Sequence, residues 1–536
     1  MPSASLTIQL DRNRADKHDP TVRFFWIVMA IHVMVYFLVC LLTQPNMPLD
    51  MVEMLFWGQQ WELGYHKHPP LPAWVTASAW KLGGGHSWLL YLVSQLTIVV
   101  TFWAAWQFAR EQLSPWAALC SVFVLEGCYY CTFMINDINN TIITRPFWAL
   151  AILFLYRAMV REKNSTRNAY WLLTGICIGL GMVSKYYMGI LVLTMLCAAV
   201  LLTEARKHLA TIGPWITATV ALLIFEPHAI WIFDNDFITF QYALQRSGEA
   251  GVATSTWFRH IASPVDFLLS QLPAVIPVLV LATPLLLNRN QGSHKEKTNQ
   301  RLFFQQYLVF VFFGPIVSYI LIGMLTGSPI RSMWGGPLFS FLGVVLFTFF
   351  ALPQDQKKVN QIIRDSLCVG LVMVMALAGK NIFAPSVRGK LSRIHFPGKQ
   401  LAEAVNARWN DRYRQPLPIV GGTLFEAGCA GVYSPNQIDV YGSMSNTASP
   451  WISDESMESD GGIIVWKLGD QQLWDDWKIR FPNAELLEPI SLQSQSWLKS
   501  DPVEVGVAIL HPASSDYARR LRPSPLHVSE RVIEKR

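Results

Sequence analysis

Residues 49–74 read LDMVEMLFWGQQWELGYHKHPPLPAW and set Asp50, Glu53, His66, Lys67 and His68 beside Trp57, Trp61 and Trp74, between two apolar runs of membrane-spanning length. A carboxylate here could take a proton from a hydroxyl, a lysine could hold a phosphate as a point charge, and a histidine could donate a hydrogen bond or carry a proton. At membrane depth each ionisable group costs roughly 2.5 to 3.5 kcal/mol even on the lenient insertion scale, unless it is paired, hydrated or used. A helix over 49–61 would carry Asp50, Glu53, Trp57 and Gln60 on one face. Met51, Val52, Met54, Leu55 and Phe56 on its other faces would let it lie in the bilayer interface with the polar stripe turned inward. The bland alternative is a solvated interfacial helix whose acids do nothing. Pro69 and Pro70 cannot continue a helix, so they should hold the chain extended and fix where Lys67 and His68 point.

Four further segments carry polar groups among apolar runs. Asn136-Asp137-Ile138-Asn139-Asn140 suits a polyhydroxylated ligand, although Asn and Asp there also serve as helix caps. Ser184-Lys185-Tyr186-Tyr187 joins two apolar runs, where a lysine ordinarily snorkels and tyrosines form an interfacial belt. Glu226-Pro227-His228 through Trp231 ends another run, and His228 with Asp50 could be a metal ligand or a proton partner, or simply structural. Arg331, in Gly327-Ser-Pro-Ile-Arg-Ser-Met-Trp334, offers a guanidinium for an anionic head group. His66 and His68 alone are weak evidence for a metal. Cys128 and Cys131 have redox or metal spacing, yet on an apolar helix they read as two small buried hydrophobes. Cys429 is alone in the polar C-terminal part, so no disulfide forms within it.

The elements that must position these residues are membrane helices. Of 536 residues, 52% are hydrophobic and 15% charged, with 21 tryptophans and a mean hydropathy of +0.28, a polytopic membrane protein with a soluble part attached. Apolar runs near 24–42, 87–109, 116–134, 143–160, 170–183, 187–203, 211–231, 264–287, 302–324, 334–351 and 366–381 predict about eleven helices. No cleavage site follows the first, so it reads as a retained span rather than a signal peptide. The connections with Arg110, Arg161, Lys163, Arg167, Arg206, Lys207, Arg289, Lys295, Lys297, Arg301, Lys357, Lys358 and Arg364 fall on one side, joined by Arg12, Arg14 and Lys17, and the positive-inside rule makes that side the cytoplasm. Segment 49–82 and everything from 384 onward then lie outside, as does a loop at 232–263. The outward cations are few: Lys67, Lys81, Arg145, Lys185, Arg246, Arg259 and Arg331. Two or three of them binding a phosphate would explain their place. Beyond the last span, strand-like runs at 418–421, 462–466 and 503–510 alternate with helix-like ones such as 397–409, which predicts a small α/β domain. No basic tract suggests nucleic acid.

LDMVEMLFWGQQWELGYHKHPPLPAW, MVSKYYMGILVL, FEPHAIWIFDNDFITFQYALQR, GSPIRSMWGGPL, IHFPGKQLAEAVNARW and SPWI, in this order, make the chain similar to bacterial members of glycosyltransferase family 39, akin to protein O-mannosyltransferases and the lipid A aminoarabinose transferase. The resemblance covers nearly the whole chain. It implies a GT-C fold, a polyprenyl-phosphate (undecaprenyl) sugar donor, a lipid A, glycan or protein acceptor, and inverting transfer at the periplasmic face of a bacterial inner membrane. A monomer with membrane lipids around it is expected; the charge distribution puts the N-terminus in the cytoplasm and the C-terminal domain on the periplasmic side, from where it would position the acceptor or cover the cavity. Asp50 takes the place of the expected base, with Glu53 as its alternative, since relatives carry adjacent Asp-Glu where this chain has Asp50-Met-Val-Glu53. Lys67, His68, Lys185 and Arg331 would bind the donor phosphate, and Asn136, Asp137, Asn139, Tyr186, Tyr187, His228 and Trp231 the sugar or acceptor. Lys67 or His68 falls where the aminoarabinose transferases place Glu-Lys before a proline. The metal-binding carboxylate is therefore missing, no cofactor is required, and a divalent metal is not expected. A transporter or flippase for a lipid-linked saccharide would share the spans and buried charges, but its usual paired halves are absent. An enzyme-dead scaffold would not need Asp50 and these cations.

Overall fold

The computed structural model describes residues 19–249, 256–287, 298–350, 356–469, 471–498 and 501–514. Arg12, Arg14, Lys17, Arg289, Lys295, Lys297 and the Arg246 side chain, on which part of the sequence reading rests, lie outside the described residues. The chain divides into two units that part between Ala384 and Pro385.

The first unit is helical. Among the described residues, eight helices are long and apolar enough to cross a membrane. A ninth crossing results if Pro115–Gly127 and Tyr129–Asn136, bent by 85°, count as one. The two other predicted runs are also helices: Asn164–Met182, and Met188–Leu201 with only 14 residues. Local chemistry starts several of them. Asp19 caps the Pro20–Thr43 helix and Ser114 the Pro115–Phe123 helix, each followed by a proline whose missing N–H costs nothing in a first turn. The bend at Gly127 follows a 3-10 turn, Val124–Gly127, and an extended Cys128, a recognised way to break a helix. There Glu126 meets His32 of the first helix, Oε1 to Nδ1 at 2.9 Å, both side chains nearly fully buried. Cys128 and Cys131 are buried free thiols.

Leu222, Leu223, Ile230 and Phe233 of the Ile212–Asp234 helix are exposed, as are many apolar side chains on the other long helices, which calls for hydrocarbon around them. The inside is close-packed around rings such as Trp106, Phe108, Tyr156, Tyr307 and Phe304.

Two expectations are corrected here. The Leu49–Gly58 helix does not lie in the interface with lipid on its apolar faces: Met51, Val52, Met54, Leu55, Phe56 and Trp57 are 0–1% exposed, and it packs on the Leu71–Leu82 helix. Burying its apolar side chains in protein removes the reason to float on lipid. The expected outer loop at 232–263 is largely helix, with Ile238–Glu249 inside it and Thr256–Leu281 beginning earlier than predicted.

The second unit holds a five-stranded sheet in the order β2-β1-β3-β5-β4, with β1 Ile419–Gly422, β2 Asp439–Gly442, β3 Gly462–Lys467, β4 Ala484–Leu492 and β5 Val503–Leu510. β1 runs parallel to β2 and β3, while β5 is antiparallel to β3 and β4. The Gly398–Tyr413 helix precedes β1, and Leu424–Val432 connects β1 to β2. Trp466, Trp474, Trp477, Phe481, Tyr441 and Met457 fill one core.

Candidate active site

Asp50 sits half-buried in the first turn of the Leu49–Gly58 helix, where the positive end of the helix dipole favours a carboxylate. Glu53, one turn on, is 5% exposed and accepts a hydrogen bond from Lys67 Nζ at 2.5 Å. The same ammonium stands over the rings of Trp57 and Tyr242, at 5.7 and 5.8 Å. Lys67 reaches back because the chain closes on itself: Tyr65 and His68 exchange backbone hydrogen bonds at 3.0 and 3.1 Å. The prolines therefore follow a tight turn, not an extended stretch. Pro70 then takes a helical conformation and opens the Leu71–Leu82 helix. Glu53 and Lys67 neutralise each other.

Electrostatics tie Asp50 to two other segments. Burial holds the Asp137 carboxyl well above its usual range and the negative charge of Asp50 raises it further, against the pull of Lys380. Asp137 Oδ1 is buried with no partner among the described residues. On the other side, burial draws the Lys185 ammonium down to about 8; Asp50 pulls it back up and Arg331 pushes it down. Lys185 Nζ donates to Thr141 Oγ1 at 2.8 Å and lies 4.8 Å from the centre of the Tyr187 ring. His68 is held well below the ordinary imidazole value by burial and then by Lys185 and Lys67, so it stands there neutral. Burial and Lys67 likewise bring His66 to about 3. Thus Asp50 acts on Asp137 and on Lys185, and Lys185 in turn is felt by His68 and feels Arg331, itself exposed, which links four separate stretches of sequence.

A wall of rings stands beside this group. His228 Nδ1 donates to the Leu63 carbonyl at 2.7 Å, and Nε2 meets the Tyr186 hydroxyl at 2.8 Å. Tyr186, His228 and Trp231 stack at 5.7 and 5.9 Å between centres. A Cβ on Gly64 would stand 2.2 Å from the Trp231 ring, so only glycine lets that turn approach. With both ring nitrogens engaged, His228 is not a free metal ligand, and among the described residues no three His, Cys, Asp or Glu side chains gather as a metal site.

The remaining predicted residues are placed as follows. Asn139 caps the Asn140–Val160 helix, accepting from Thr141 N and Ile142 N at 2.9 and 3.2 Å. Asn136 ends the 3-10 turn before Asp137. Tyr187 is buried and Tyr186 half-buried, so neither belongs to an exposed interfacial belt. Sequence reasoning passed over Lys380, which reads as an end-of-span lysine, and gave Thr141 and Tyr242 no role.

The site therefore sets an acid beside cations in segments that join membrane-length helices. The dolichyl-phosphate-mannose-protein mannosyltransferase family matches over residues 67–231. The lipopolysaccharide core galacturonosyltransferase RgtB of Rhizobium johnstonii is 26% identical over 432 residues, 78% of this chain and 82% of RgtB. The lipid A galacturonosyltransferase RgtD of the same organism is 23% identical over 44% of this chain and 47% of its own. ArnT from Cupriavidus metallidurans, solved bound to undecaprenyl phosphate, superimposes with a TM-score of 0.55 at 13% identity, covering 90% of this chain and 98% of that one. The chain thus shares the fold of ArnT and is similar in sequence to membrane glycosyltransferases, the galacturonosyltransferases and the protein mannosyltransferase family among them.

Proposed function

We propose that this enzyme moves a uronic sugar from a polyprenyl-phosphate donor to a lipid or glycan acceptor of the bacterial envelope, with the site and the C-terminal unit on the periplasmic side of the inner membrane. The polyprenyl donor is supported by the undecaprenyl phosphate bound in ArnT, and the uronic sugar by the galacturonosyltransferase relatives. The observation that carries the site is that Asp50 acts on both Asp137 and Lys185, and Lys185 in turn feels Arg331.

In this reading Asp50 takes the proton of the acceptor hydroxyl as its oxygen attacks the anomeric carbon. The bond from that carbon to the phosphate oxygen breaks, the configuration inverts, and polyprenyl phosphate leaves with one more negative charge than it brought. Lys185 and Arg331, with His68 as a neutral donor, stabilise that growing charge in a site partly screened from water. Lys67 serves the site by neutralising Glu53. Asp137, Tyr186, His228 and Trp231 line the sugar and acceptor side, where an aromatic face suits a pyranose. The test is transfer by the purified full-length protein from synthetic polyprenyl-phosphate galacturonate to lipid A or core acceptors, read by mass spectrometry. Product with the wild type and about a hundredfold less or lower with Asp50→Asn is expected; equal product from both rejects the assignment.

A further inference from the structure

Arg145 is fully buried, 0% exposed, in the first turns of the Asn140–Val160 helix. Its Nη1 donates to the Tyr130 carbonyl at 2.6 Å. Nε and Nη2 have no hydrogen-bond partner among the described residues, and no carboxylate there forms an ion pair with it. A buried guanidinium facing one neutral carbonyl is costly to keep unless something anionic completes it. The two orphaned groups are not arbitrary. Nε–H and Nη2–H lie on the same edge of the guanidinium plane and point the same way, the fork that takes both oxygens of a carboxylate.

The surroundings place that fork at the site. Thr141 and Arg145 are four residues apart on one helix and share a face, and Thr141 Oγ1 is the partner of Lys185 Nζ at 2.8 Å. Nη2 faces Gly336: a Cβ built there would come to 3.2 Å from Nη2 and 3.1 Å from Thr141 Cγ2, so bare backbone leaves the edge uncrowded. Thr141 is thus flanked by two cations, Lys185 partly exposed and Arg145 deeper. A uronosyl donor brings two anionic groups on one pyranose ring, the phosphate at the anomeric carbon and the carboxylate on the carbon at the other side of the ring oxygen.

We propose that Arg145 is the specificity-determining residue of the transferase, gripping the carboxylate of a uronic sugar whose phosphate lies at Lys185. This rests on the transferase reading above. The experiment uses the full-length wild type with two donors, polyprenyl-phosphate galacturonate and its methyl ester, which keeps the ring and loses the charge. The ester should lower kcat/KM on the order of 100-fold or more. Arg145→Gln, which retains a donor for the Tyr130 carbonyl, should bring the acid donor down to the level of the ester and leave the ester within about threefold. Gly336→Ala, which crowds the fork, should shift the acid donor in the same direction. A wild type that uses both donors equally overturns the proposal without touching the transferase reading, and so does an Arg145→Gln that loses both donors alike. A wild type that uses neither donor overturns both.

Discussion

Raising the pH should disarm Lys185. Its ammonium titrates at about 8, and the sign follows from the charge it must carry: it holds phosphate when protonated, so donor capture is intact below 8 and lost above. At pH 9 about one tenth of the free enzyme keeps the charge, and kcat/KM for the donor falls about tenfold with each further pH unit. The donor phosphodiester has one charge throughout this range. His66 at about 3 and His68, held low, are already neutral, and Tyr186, raised by burial to about 12, remains protonated. The assay is initial-rate transfer at subsaturating donor between pH 6.5 and 9.5. In Lys185→Arg the cation persists across the range and the alkaline limb should vanish. Asp137 is the competing titratable group, because its raised carboxyl gains charge as pH rises. A limb that survives in Lys185→Arg and disappears in Asp137→Asn would refute the reasoning.

Asp50→Asn should cut kcat by about 10²- to 10⁴-fold with KM little changed, the usual worth of a general base; single-turnover kinetics check it, and a KM effect alone contradicts it. Glu53→Gln leaves the Lys67 charge unmatched, with its side chain 19% exposed. It should destabilise by about 2 kcal/mol, less than a fully buried pair, and Glu53→Gln/Lys67→Met should recover most of the lost thermal midpoint in detergent. No recovery means the pair is not coupled. Gly64→Ala drives a methyl into the Trp231 ring at 2.2 Å, so both thermal midpoint and transfer should fall; a wild-type variant would show that the turn can move aside.

The helices were legible because each apolar run is long and uninterrupted, and the membrane leaves the backbone few other choices. All eleven predicted runs are helical, whereas the 85° bend at Gly127 was not legible, because a 3-10 turn and one extended cysteine leave no mark on an apolar pattern. In the second unit, β1, β3 and β5 stood out as apolar runs. β2 has four residues, and β4 alternates irregularly around a register shift between Leu487 and Ile490, so neither has a clean period of two. At the site, residue types were readable and pairings were not. Arg145 looked like one more outward cation until the partners of its guanidinium could be counted, and Lys67 looked like a phosphate binder.

The position of Lys67 separates the two acids of the Leu49–Gly58 helix. Three residues apart, Asp50 and Glu53 share a face, and spacing alone treats them alike. The Tyr65–His68 turn breaks the tie by returning the Lys67 ammonium to that face. It lands on the buried acid, Glu53, where an unpaired carboxylate would be hardest to sustain. Asp50 is left half-buried at the helix start, stabilised by the dipole, with Asp137 on one side and Lys185 on the other. A base needs access to its hydroxyl. Glu53, 5% exposed and bonded to Lys67, has given up that access, which on the proposed reading favours the half-buried Asp50.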